Sequence, residues 1–550
     1  MGISGLARRL EPYATRYSAQ ELEGYSAIVD GPSLAYEGHK LALSSGSSPS
    51  KIPSYADINS VAVGWLESLE KQGIKVLDVL FDGALPSTKQ AERLSRTEQN
   101  NRRVQQLRAS YPTAACPIPT YLGSASCSLL APSLRESLAQ SAFASRTRIV
   151  PGEADDFCGL RAKDVPKSII FTSDTDLVLF DYHPETLIVL FKDADSLAGL
   201  KAYSPYHIAK KLQLKSLVPF AWAIQQRLSE GQNELVQDAQ SLDLTSPPYL
   251  EFSQRYIAKP PSVSLSEIRV LELSLQSLDV RISEFVHEAL HDNLCINVYL
   301  PLLVEDPNLA SAWSIAQDVR VFAYSLVALP TSDFYEYRRK AQGISPHKID
   351  IYAATNLEVP AKDLEARMSA LHSWADSKSI SPTLLWTLFA LGLVIAELNT
   401  PPPPPIVSRV INGDFDNTWV FLHLAARLQA AMYSLRILKQ VVAVRLARSE
   451  GDMTALVEHL SKIAQHMSTF PPIADMFSIP GQAKQVLADH GTMDDYLKEI
   501  YASAGVEMPA EQVSNKKRKK QAREAERKQK KADQRQQHKS TSANAFAALV

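Results

Sequence analysis

The sequence predicts an α/β first part, a mainly parallel sheet with helices on both faces, followed by a mostly α-helical region and a disordered basic tail. Three observations carry this. Over residues 1–235, short runs rich in β-branched residues alternate with helical stretches, the pattern of a parallel sheet covered on both sides. From about residue 250 strand-like runs become rare. Charge is uneven: residues 516–539 hold 12 Lys/Arg and 3 Asp/Glu, or +9, so the remainder of a chain of net charge −2 carries about −11.

The strand-like runs are 27–30, 76–81, 148–150, 168–172 and 186–191, and 56–71 is one of the helical stretches between them. Residues 84–147 read as a helical insertion whose first part is strongly polar, with Lys89, Arg93, Arg96, Arg102, Arg103 and Arg108 recurring along it. A helical domain is expected over 250–510, with helices near 264–278, 383–398 and 419–446. The apolar stretch from Leu384 to Ala396 is 13 residues. A bilayer needs roughly 20, so it reads as a buried helix starting after Ser381-Pro382, and no membrane association is expected. Pro401 to Pro405 reads as a rigid spacer. His287 and His291 lie one helical turn apart with no third ligand at useful spacing, and read as a structural pair. The tail, 511–550, is too polar to bury a core, and its apolar end, NAFAALV, is a candidate docking peptide.

At 550 residues and 45% apolar content, the chain can fill two or three domain cores. Four cysteines without metal spacing point to a reducing compartment. The first ten residues hold no apolar run of a secretory signal, and Leu6 stands where N-myristoylation wants Ser or Thr.

The chemistry is expected where the strands end. Asp30 closes YSAIVD, Asp82 closes KVLDVLFD, Glu153, Asp155 and Asp156 follow the 148–150 run, and Asp174 and Asp176 follow SIIFTS. Ligands of parallel α/β sheets bind beyond the carboxyl ends of the strands. Apolar runs that repeatedly end in acid are costly unless a cation gathers the acids. Mg2+ or Mn2+ fits, because hard cations take oxygen ligands and serve phosphate chemistry. The cations from Lys89 onward can then hold phosphates.

With these residues laid out, the first part resembles the flap-endonuclease (XPG-type) superfamily of PIN-like nucleases, and within it the Asteroid-like branch. The resemblance is carried by the MGISGL opening, by IVDGPSLAY and LFDG as strand-Asp-Gly elements, by GEADDF, and by TSDTDLVLF as the Asp-x-Asp element. It covers residues 1–215. It implies that Asp30, Asp82, Glu153, Asp155, Asp174 and Asp176 bind one or two metal ions, and that Lys89 and Arg96 are the catalytic basic pair on an arch-like helix. Helical spacing alone would pair Glu153 with Asp156; the resemblance pairs it with Asp155. A seventh acid of the family is missing from KLQLKSLVPFAWAIQQRL, as is the hairpin that grips duplex DNA, so a weaker second ion is expected; Glu230 and Glu234 are the nearby substitutes.

The expected function is a metal-dependent, structure-specific endonuclease acting on branched or single-strand-containing DNA or RNA, with a place in DNA repair. Arg93, Arg102, Arg103, Lys516, Lys517, Arg518, Lys519 and Lys520 would add nucleic-acid contacts, and KKRKK also reads as a nuclear signal. The alternative is a catalytically inactive PIN-like scaffold in post-transcriptional regulation, binding RNA or protein through the helical region or the tail.

Overall fold

Strand runs that end in an acid and a glycine set the architecture. The protein is described by a computed structural model over residues 2–44, 52–114, 118, 122–194, 199–257, 269–291, 293–329, 331–449, 454–484 and 490–509. Its first part contains β1 (Thr15–Tyr17), β2 (Ser26–Asp30), β3 (Lys75–Phe81), β4 (Thr147–Ile149), β5 (Ser168–Thr172), β6 (Leu187–Leu190) and β7 (Leu200–Ala202). Five of these form a parallel sheet in the order β4-β3-β2-β5-β6, with β2 at the centre. The short β1 and β7 pair antiparallel beside it.

Side chains alternate across the pleat, so each strand feeds two cores. Ala27 and Val29, Val79 and Phe81, and Ile169 and Phe171 join the core beneath helices Gly31–Ser44, Tyr55–Lys71 and Leu130–Leu138. Ile28, Leu80 and Ile170 join the opposite core, beneath helices Ala154–Lys163, Pro205–Lys211 and Val218–Gln226. Helix Tyr55–Lys71 begins with a reciprocal cap: Asp57 N donates to Ser54 Oγ at 3.1 Å, and Ser54 N to Asp57 Oδ2 at 2.8 Å.

The glycines after the first two acids are required by space. A Cβ on Gly31 would stand 2.7 Å from the Phe81 ring and 2.8 Å from Leu80 O. One on Gly83 would stand 1.9 Å from Val150 O. The chain therefore leaves β2 and β3 through tight, fixed exits, and Asp30 and Asp82 sit at those exits.

Beyond residue 250 the chain is largely helical, as expected, including buried helices Pro382–Glu397 and Trp419–Arg448. His287 and His291 bond back to carbonyls of their own helix and stack on each other. One feature departs from the expectation: β8 (Cys295–Tyr299), β9 (Asp333–Lys340) and β10 (Gly343–Ile349) form a second sheet in the order β10-β9-β8. The polar sequence DFYEYRRK hides β9. Its charges are satisfied inside: Glu336, fully buried, accepts from Arg320 Nε at 2.6 Å and from Tyr324 Oη at 2.9 Å, and Arg339 Nε donates to Glu305 at 2.7 Å.

The first part and the helical part share one continuous apolar core. Buried Arg436 on the long helix joins them, bonding Asp279 at 2.9 Å and Glu136 of helix Leu130–Leu138 at 2.5 Å. Among the described residues no helix is long and apolar enough to cross a membrane. Removing one partner of a buried ion pair leaves the other charge uncompensated. Arg320→Ala is therefore expected to destabilise the fold by about 3–5 kcal/mol in chemical denaturation; a loss below about 1 kcal/mol would contradict this role for the pair.

Candidate functional site

The carboxyl ends of the neighbouring strands β3, β2 and β5 bring Asp82, Asp30 and Asp174 to one corner of the sheet. Asp30 is buried and held from both sides. Its Oδ2 accepts from Ser33 Oγ at 2.5 Å and Thr172 Oγ1 at 2.8 Å, and its Oδ1 from Ser33 N at 3.2 Å. Burial pushes its carboxyl up to about 6 against those hydrogen bonds, with repulsion from Asp82 adding to the rise. Asp82 Oδ1 accepts from Ala154 N at 2.8 Å, the first residue of helix Ala154–Lys163, and burial raises its pKa too, with Arg93 and Lys89 opposing.

Glu153 is the N-cap residue of that helix, in extended conformation, and its Oε2 pairs with Lys89 Nζ at 3.1 Å. Burial raises Glu153, and the Lys89 charge works against it. Asp155, in the first turn of that helix, is half-buried. Its pKa stands well above the ordinary value, first through burial and then through repulsion by Asp30, Asp174 and Asp82. Among the acids, Asp30, Asp174 and Asp82 act on Asp155, while Asp156 acts on Glu153. Lys89 feels Glu153, Asp155 and Asp174 together, and they hold its ammonium pKa up although burial opposes.

Asp174 and Asp176 belong to a tight turn in which Asp176 N donates to Asp174 Oδ1 at 2.9 Å. Asp176 is engaged elsewhere as well: its Oδ1 accepts from Ile3 N at 2.7 Å and its Oδ2 from Tyr256 Oη at 3.3 Å. A Cβ on Gly2 would stand 2.2 Å from Asp176 Oδ1 and 2.7 Å from Asp174 Oδ1, so the Gly2 backbone closes on this acid pair. Sequence reasoning missed Ser33, Thr172, Ile3 and Tyr256 as partners of the acids. Only the hydroxyl residues two or three positions from an Asp offered a signal.

The basic residues separate. Lys89 lies over the acids. Arg96 reaches back to Glu92 on its own helix Ser87–Ser110, and the exposed Arg102 and Arg103 pair with Glu98 and Asn100. Arg93, expected at a nucleic-acid surface, is instead in a two-pronged ion pair with buried Glu284 at 2.8 and 3.1 Å. Arg108 pairs with Asp306 at 3.0 Å and lies over the Trp419 ring, while Asn101 donates to Gln342 O at 3.0 Å. The helix is thus fastened to the second part rather than standing clear as an arch. Helix Val218–Gln226 supplies no seventh acid. Glu234 caps its own helix through Gly231 N at 2.9 Å and interacts with Glu230, so neither replaces it at the corner. Lys516, Lys517, Arg518, Lys519 and Lys520 lie outside the described residues.

Hard oxygen donors, buried and mutually repelling with Lys89 as their near cation, have the chemistry a divalent cation relieves. As the side chains stand, however, no group of three or more His, Cys, Asp or Glu among the described residues could hold an ion. Asp30, Asp82, Asp155 and Asp174 are oxygen donors of the kind a hard cation takes, but Asp30, like Asp176, has both oxygens bonded to the protein and would have to release them to serve as a ligand.

Residues 126–351 match the family model described as XPG domain containing. That stretch is less than half of the chain; with the parallel sheet and its acidic corner, it makes the first part similar to XPG-type, PIN-like proteins, the Asteroid branch among them. The match runs well past residue 215, where the resemblance read from the sequence stopped. Asteroid homolog 1 of Schizosaccharomyces pombe is 27% identical over 186 residues, which are 33% of this chain and 31% of that protein, so about a third of the relative's length is matched. Human GEN1 in complex with Holliday junction DNA aligns at 14% identity and TM-score 0.31, covering 46% of this chain and 59% of that one. The catalytic core of Rad2 in complex with DNA substrate aligns at 17% identity and TM-score 0.28, covering 51% and 94%.

The raised Asp30 pKa fixes a pH dependence for the metal-free protein. Between the ordinary 3.8 and about 6 the folded state binds a proton that the unfolded state has lost, so stability falls as pH rises through that window. At about 1.36 kcal/mol per pKa unit, Asp30 alone contributes on the order of 2–3 kcal/mol. Metal-free protein is expected to melt higher at pH 5 than at pH 7, with Asp30→Asn shrinking the difference; an unchanged difference in that variant would assign the effect to other groups.

Proposed function

We propose that the protein is a divalent-metal-dependent endonuclease acting on branched or single-strand-containing nucleic acid. The observation that supports this most is the convergence of Asp30, Asp82, Asp155 and Asp174 at the carboxyl end of the sheet, with Lys89 over them. These four acids would hold one Mg2+ or Mn2+, drawing inward around it, and a second ion near Asp176 would bind more weakly. When bound, the cation supplies an activated water and neutralises charge on the phosphodiester. Lys89 would exchange Glu153 for the scissile phosphate, and half-exposed Arg96 would exchange Glu92 for the strand beside it. Arg102 and Arg103, held only by weak pairs on an exposed helix face, would contact the backbone further out. The Lys516 to Lys520 cluster would add salt-sensitive affinity and a nuclear address, which suits a role in DNA repair.

A second reading has its own support. Asp30 and Asp176 have their oxygens bonded to protein donors, and Arg93 is withdrawn to Glu284, as suits a scaffold that kept the fold and lost the reaction. One experiment separates the two. Purified protein with Mn2+ is expected to cleave a labelled flap or single-stranded substrate, and Asp174→Ala to lower the rate by at least about a thousandfold, as loss of a group acting on the transition state does. Binding without cleavage in any divalent metal would establish the scaffold instead.

A further inference from the structure

Residues 276–284 touch three separate pieces of the acidic corner, although they belong to the second part of the chain. Gln276 pairs with the backbone of edge strand β4 as a neighbouring strand would: its Oε1 accepts from Ile149 N at 2.9 Å and its Nε2 donates to Ile149 O at 2.8 Å. Those edge groups would otherwise lack a partner in the sheet. Ser283 is fully buried and its Oγ donates to Gly83 O at 2.8 Å, on the exit turn that carries Asp82. Glu284 takes both prongs of Arg93, one turn along from Lys89 on the basic helix. The segment is itself anchored. Asp279 accepts from Arg436 at 2.9 Å, and its N–H donates to Gln440 at 2.6 Å, both on the long helix.

We propose that residues 276–284 are a strap that positions the Asp82 turn and the basic helix relative to each other, with Ser283 and Glu284 as positioning residues for the reaction proposed above, on which this functional part rests. The argument is one of competing charges. Arg93 lies in the field of two acids, Glu284 and Asp82. While Glu284 neutralises it, Asp82 stays available and Lys89 keeps its place over Glu153. Without Glu284 the guanidinium has Asp82 as its remaining acidic neighbour of those two, and the helix carrying Lys89 shifts with it. Ser283 holds the same turn at the Gly83 carbonyl, where the backbone lies so close to Val150 O that an added Cβ would stand 1.9 Å from it.

The test uses the full chain, metal-free, and two readouts. Hydrogen exchange is followed at the amides of Gly83 and Ala84, which donate to Gly152 O, and along helix Ser87–Ser110. Ser283→Ala and Glu284→Gln are expected to speed exchange there about fivefold or more while β6 is unaffected. Ser325→Ala, which removes a buried hydroxyl that donates to Val321 O of its own helix and accepts from Tyr352 N, away from the corner, serves as the control and is expected to leave the corner unchanged. Unchanged exchange at the corner, or an equal rise across the molecule and in the control, overturns the strap. The second readout is a double-mutant cycle of Lys89→Ala with Glu284→Gln, scored as affinity for a fluorescent single-stranded oligonucleotide. Coupling of about fivefold or more is expected, and additive losses overturn the positioning role. If the unmodified chain does not bind the oligonucleotide, the nuclease reading falls, and the exchange pattern still supports or overturns the strap as a structural device.

Discussion

Everything at the carboxyl end of the sheet answers to the repulsion among Asp30, Asp82, Asp155 and Asp174. Burial in a half-dry corner disfavours ionisation, and the neighbouring like charges add to the penalty. The chain relieves this in three ways. Hydroxyls of Ser33 and Thr172 solvate Asp30, the backbone N–H of Ala154 serves Asp82, and Lys89 supplies a positive charge within the field of Asp155 and Asp174. These offset the cost only in part, since the carboxyls of Asp30, Asp82, Glu153 and Asp155 all remain raised. On the function proposed above, a divalent cation would complete the compensation.

That constraint explains the surrounding construction. The acids must not move apart, so their strand exits are fixed by glycines with no room for a side chain, and Gly2 closes on the Asp174–Asp176 turn. Nor can the cations drift, so the basic helix is pinned by Glu284, Asp306 and the carbonyl of Gln342. The fixings of the basic helix, and the bond from Ser283 to Gly83 O, lead into the second part of the chain. Its buried ion pairs, Arg320 with Glu336, Arg339 with Glu305 and Arg436 with Asp279, make that part a rigid backing.

Much of this was legible in the sequence where one physical signal dominated. Apolar, β-branched runs such as SIIFT and LIVL announced buried parallel strands, and the acids at their ends announced the corner. The run from Leu384 to Ala396 announced a buried helix. What stayed hidden depended on pairing across long separations. DFYEYRRK reads as surface because its charges find buried partners only in the folded state. Arg93 looked like a phosphate contact because nothing local reveals Glu284, 191 residues away. The engagement of Asp176 by Ile3 and Tyr256 was invisible for the same reason.

The most direct test is thermal melting of the full chain at pH 7.5, titrated with Mn2+ in place of substrate. If the corner lacks a cation to balance its acids, the melting temperature rises with Mn2+ concentration as binding to the folded state requires. Asp155→Asn raises the metal-free melting temperature and abolishes the Mn2+ response. A melting temperature indifferent to millimolar Mn2+, with Asp155→Asn no more stable than the unmodified chain, would contradict the account at its base.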